Sequence, residues 1–84
     1  MVTFENFDSR IRVVELRQLK TFQTVARFSS FNRAAKELNY AQSTVSAQIR
    51  LLEEELGVQL FDRLGRKAEL TEAGKQLVEY SRMM

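Results

Sequence analysis

Eighty-four residues leave room for one small domain, since domains commonly run to about 100 residues or more. With neither Cys nor His in the chain, disulfides, thiolate or imidazole zinc sites and Ser-His or Cys-His nucleophile pairs are all excluded. Thirteen Lys and Arg against eleven Asp and Glu give a net charge of +2, compatible with nucleic acid without pointing to it, and no apolar run exceeds two residues against the about 20 of a spanning helix, so a soluble, cytoplasmic protein is expected.

The absence of Pro and the presence of three Gly, at positions 57, 65 and 74, predict a mainly helical chain with the glycines as punctuation. Residues 1–14 carry Phe4, Phe7, Ile11 and Val14, and Glu5 and Asp8 interrupt any signal-peptide core. This stretch reads as a short helix, a frayed arm or added sequence. From Leu16 the apolar residues Leu16, Leu19, Phe22, Val25 and Ala26 recur at helical spacing and predict a first helix over about 16–28. Ser29 and Ser30 offer an N-cap hydroxyl to a short second helix, about 31–38, with Phe31, Ala34, Ala35 and Leu38 as its stripe. After a break at Asn39 and Tyr40, Val45, Ile49, Leu52 and Leu56 mark a third helix over about 42–56, closed by Gly57 as a left-handed cap. Leu60-Phe61-Asp62-Arg63 and Lys67-Ala68-Glu69-Leu70 flank Leu64-Gly65-Arg66 and read as a small hairpin anchored by Leu60, Phe61 and Leu70. Thr71 and Glu72 then open a fourth helix that runs to the chain end.

Two helices joined by a tight turn and followed by a glycine-tipped hairpin give the outline of a winged helix-turn-helix. On the third helix, at about 100° per residue, the core stripe lies opposite Ser43, Ser46, Ala47 and Arg50. That far side is small and polar in its first turns, the kind of face that sinks into a major groove about 12 Å wide. The acids Glu53, Glu54 and Glu55 arrive only at the other end, away from the terminus that would meet phosphate. Gln42 has the geometry to bond adenine, Ser43 and Ser46 to reach a phosphate or base edge, and Arg50 to reach a phosphate or guanine. Arg63, Arg66 and Lys67 gather positive charge on the hairpin, and Asn32 and Arg33 stand where the second helix would flank the groove. The alternatives are a merely solvated surface helix and turn. Phe22, Phe28, Phe31 and Phe61 read as core rather than as a stacking platform for bases, and Glu53 to Glu55, pointing in different directions, imply no catalytic pocket. Leu51 fits neither face of the third helix and could meet another helix or a second chain.

Glu15-Leu16-Arg17-Gln18-Leu19, Ser30-Phe31-Asn32-Arg33-Ala34-Ala35, Gln42-Ser43-Thr44-Val45-Ser46 with Gln48-Ile49, Leu52-Glu53-Glu54-Glu55-Leu56-Gly57-Val58, Leu60-Phe61-Asp62-Arg63 and Leu70-Thr71-Glu72-Ala73-Gly74 closely resemble the LysR-type transcriptional regulators. The resemblance covers about residues 15 to 81. It implies the N-terminal domain of a bacterial regulator: an extension at 1–14, a winged helix-turn-helix at 15–70 with its helix-turn-helix at about 31–50, and the start of a long linker helix at 71–84. It also implies a larger effector-binding domain that this chain lacks, double-stranded DNA as partner, and no catalytic role, cofactor or metal. In such proteins the linker helix pairs with that of a second subunit, and Ala73, Leu77, Tyr80 and Met84 suit the seam of a homodimer that reads an interrupted inverted repeat. Tetramers are open to the full-length regulator. Carried over by position, the DNA contacts are Asn32, Arg33, Gln42, Ser43, Ser46 and Arg50, with Arg63, Arg66 and Lys67 at the wing. The chain departs from the usual pattern at Ala41 and Ser43, where many members have Ser and Pro, and at Ala47, where a basic or polar residue is frequent. Lacking the cap and the N-terminal Pro, the third helix should start less firmly by about 1 kcal/mol.

Overall fold

In the computed structural model, which describes residues 16–62 and 67–83, three helices build the core: α1 (Leu16–Phe28), α2 (Phe31–Leu38) and α3 (Gln42–Leu56). Caps set their ends. Ser30 is extended and its Oγ accepts the Arg33 N–H at 3.1 Å, so the hydroxyl expected to start α2 does so. Asn39 and Gly57 close α2 and α3 in the left-handed region, at φ 60° and 72°. Ala41, at the head of α3, offers no side-chain cap.

The buried stripes are those the spacing predicts, with one exception. Leu19, Phe22 and Val25 of α1, Ala34 and Ala35 of α2, and Val45, Ile49, Leu52 and Leu56 of α3 form one cluster. Burying side chains of the Val, Leu, Ile or Phe type contributes about 1.5 to 3 kcal/mol each. Leu16 was expected in this stripe but is 78% exposed, because it is the first residue of α1 and lies short of the packed turns.

The strands β1 (Phe61–Asp62) and β2 (Glu69–Leu70) pair antiparallel with Phe61 opposite Leu70. A ribbon this short persists only through its anchors. Leu60, Phe61 and Ala68 are buried, and Phe61 packs its ring against Phe22 of α1 and Phe31 of α2, with centroids 5.5 and 5.7 Å apart. The last helix, α4 (Glu72–Arg82), is capped by Thr71, whose Oγ1 accepts the Gly74 N–H at 3.1 Å and donates to the Gln59 carbonyl at 2.6 Å. It packs on α1 and β2. Gly74 does not punctuate the chain as expected; it is buried within the first turn of α4, where the helix runs against the Leu60 carbonyl. Residues 1–15, residues 63–66, which hold Arg63 and the expected turn Leu64-Gly65-Arg66, and Met84 lie outside the described residues.

Candidate nucleic-acid interface

The site begins with the two sides of α3. Val45, Ile49 and Leu52 are completely buried, while Gln42, Ser43, Ala47 and Arg50 are exposed and Ser46 is half-buried beside them. The Gln42 side-chain amide donates to Ser46 Oγ at 3.0 Å. That bond uses one of two N–H groups, leaving the other and the amide oxygen for a base edge, while Ser46 keeps its own hydroxyl proton to donate. The uncapped head of α3 adds backbone N–H groups and the positive end of the helix dipole to the same flank.

The neighbouring elements bring further cations. Asn32 and Arg33 are exposed on the first turn of α2, and Lys67 is exposed two residues ahead of β2. The Ala68 N–H donates to the Ser29 carbonyl at 3.1 Å, which ties the wing to the turn between α1 and α2. Arg63 and Arg66 are not among the described residues.

On α4, Ala73 and Tyr80 are half-buried, but Leu77 is fully buried in the chain's own core. The expected seam therefore needs correction: the spacing of four, three and four picked out the inward face of α4 at Leu77, because one helix stripe serves an intramolecular core as readily as a partner. Leu51 is 51% exposed, off the core stripe as expected.

Several supporting residues escaped the sequence. Glu53, read only as part of an acidic run that implies no catalytic pocket, directs its carboxylate to the Leu60 N–H at 2.8 Å and the Phe61 N–H at 3.4 Å, holding the start of the wing to the far end of α3. Thr21, 1% exposed on α1, donates its hydroxyl to the Gln48 side-chain oxygen and so links α1 to α3 directly. A polar pair at that place fixes how α3 rotates against the core, since any turn of the helix would strand a buried hydroxyl. Phe28, expected in the core, is half-buried and lies under two arginines. No local signal marks any of these, because each depends on a residue distant in sequence or on the neighbouring helix.

A short helix, a three-residue turn and a second helix with one free polar flank, followed by a two-stranded ribbon, define a winged helix-turn-helix protein. The chain belongs to the LysR family of bacterial regulatory helix-turn-helix proteins, whose family model matches residues 16–75. It is 54% identical over 69 residues to a RuBisCO operon transcriptional regulator of Allochromatium vinosum, covering 82% of this chain and 23% of that protein. The chain thus spans about a quarter of that relative's length. Among solved structures, the BenM DNA-binding domain in complex with catB site 1 DNA superposes with a TM-score of 0.79 at 42% identity, covering 82% of this chain and 77% of that one. The DNA complex of the CbnR DNA-binding domain gives 0.78 at 42% identity, covering 82% and 79%. Among the described residues no helix is long and apolar enough to cross a membrane.

Proposed function

We propose that this chain binds double-stranded DNA sequence-specifically as the reading domain of a longer transcriptional regulator, with the first half of α3 in the major groove and the wing, residues 61–70, along the backbone or minor groove. The observation that carries this reading is the division of α3: an exposed flank of small polar residues at its uncapped end, rigidly backed by a fully buried stripe. The two DNA-binding domains at 42% identity in DNA complexes support it. Gln42 and Arg50 address base edges, Ser43 and Ser46 a base edge or phosphate, and Asn32, Arg33, Arg63, Arg66 and Lys67 the backbone. Two chains pair through α4, with Ala73 and Tyr80 at the seam, and read the halves of an interrupted inverted repeat. Larger assemblies and effector binding belong to the remaining length of the regulator.

Selecting bound duplexes from a random pool tests the reading: recovery of a palindromic site is expected, and no enrichment would contradict specificity. Against that site, Gln42→Ala should relax base choice at one position by about 1 to 3 kcal/mol, seen in a panel of single-base variants. Lys67→Ala should weaken all sequences alike and flatten the dependence of log affinity on log salt, in titrations at several salt concentrations. A wild-type affinity indifferent to salt would instead indicate an apolar protein-docking surface.

A further inference from the structure

The ring of Phe28, at the end of α1, carries two guanidinium groups, with the Cζ atoms of Arg27 and Arg33 lying 4.8 and 5.2 Å from its centroid. Both fall inside the about 6 Å over which a ring quadrupole attracts a cation. Two like charges gather at one point only where something offsets their repulsion, and the electron-rich ring face does so here. Arg27 also reaches the Glu37 carboxylate at 3.9 Å, whereas Arg33 is exposed on the first turn of α2. The Arg33 backbone is already fixed, its N–H bonded to Ser30 Oγ; the ring fixes the other end of the same residue. Between them, Ser29 sits in the left-handed region at φ 53° and its carbonyl accepts the Ala68 N–H, which brings the backbone of Lys67, one residue earlier, to the same corner.

We infer that Phe28 is a positioning residue for phosphate binding: its ring holds the Arg33 guanidinium at the corner where α2 meets the wing, pre-ordering a cationic contact beside α3. The inference rests on the DNA-binding reading and adds to it a residue that does not itself touch DNA. An arginine loses rotamer freedom when it engages a phosphate, and one already held against a ring loses less. Arg33 is thus a fixed phosphate contact and not one of several mobile surface cations.

The test is binding of the 84-residue chain to a mixed-sequence duplex across a salt series, for the wild type, Arg33→Ala, Phe28→Leu, Phe28→Tyr and the double variant Phe28→Leu with Arg33→Ala. Arg33→Ala should weaken binding and lower the salt slope by about one. Phe28→Leu, which keeps apolar bulk without the aromatic face, should weaken binding about two- to fivefold. Phe28→Tyr should bind as the wild type does, and the double variant should bind no worse than Arg33→Ala alone. A Phe28 that merely packs would lower the melting temperature and add its loss to that of Arg33→Ala, so additive losses overturn the inference. Wild-type affinity in Phe28→Leu overturns it as well. If Arg33→Ala is neutral while the wild type binds with steep salt dependence, the inference falls and the DNA-binding reading stands; if the wild type binds no duplex, the reading itself falls.

Discussion

Phe61→Ala is expected to lower the unfolding free energy by about 3 to 5 kcal/mol, the range for removing a buried aromatic ring from a packed core. Phe61 is 1% exposed and belongs at once to β1 and to the contact between α1 and α2, through its packing on Phe22 and Phe31. Edge-to-face and tilted ring pairs add about 0.5 to 1.5 kcal/mol beyond the burial of area. A chain of this size has a total stability of about 4 to 12 kcal/mol, so the loss rivals the whole. Urea unfolding followed by circular dichroism should show the midpoint falling sharply or the cooperative transition disappearing. Phe61→Leu should cost less, since it leaves a smaller cavity. A loss below about 1 kcal/mol for the Ala variant would mean that the wing is not anchored through this ring.

The bodies of α1, α2 and α3 were legible from apolar residues at three- and four-residue spacing, and local chemistry gave the start of α2 at the Ser30 hydroxyl and the left-handed end of α3 at Gly57, whereas Asn39 read only as a break and proves to be a left-handed cap. The free flank of α3 was legible for the same reason, since one amphipathic period defines both its buried and its open side. What joins the elements was not. The Glu53 carboxylate on the Leu60 and Phe61 amides spans seven and eight residues, and the Thr21 hydroxyl on Gln48 spans 27. Polar residues at such positions look like ordinary surface until the fold brings their partners to them. Leu77 shows the converse failure: a helical stripe identifies a face that will be covered, and only the packing of α4 on α1 and β2 tells that the cover comes from the same chain. Phe28 failed differently, since an aromatic at the end of a helical stripe can turn its face to solvent when two cations occupy it.

Gly74→Ala is expected to destabilise the chain by about 1 to 3 kcal/mol, against the direction that helix propensity alone dictates. Inside a helix, Ala normally outperforms Gly by about 0.8 to 1.0 kcal/mol. A Cβ at position 74, however, would stand 2.2 Å from the Leu60 carbonyl oxygen and 2.9 Å from Leu70 Cδ2. The leucine side chain has room to rotate; the carbonyl is backbone and is held in place. It accepts the Thr71 N–H at 3.0 Å, and the N–H of the same residue donates to Glu53. Relieving the clash therefore requires α4 to lift from the wing, which strains the Thr71 cap and the Glu53 bonds together. Thermal unfolding should show the melting temperature falling by about 4 to 24 °C, at the about 4 to 8 °C per kcal/mol usual for domains of this length. Duplex affinity should fall with it at temperatures where the variant is still folded, because β1 and Lys67 would shift relative to α3. A melting temperature above that of the wild type would show that α4 does not approach the wing this closely, and the route from α3 through Glu53 and Leu60 to α4 would be lost with it.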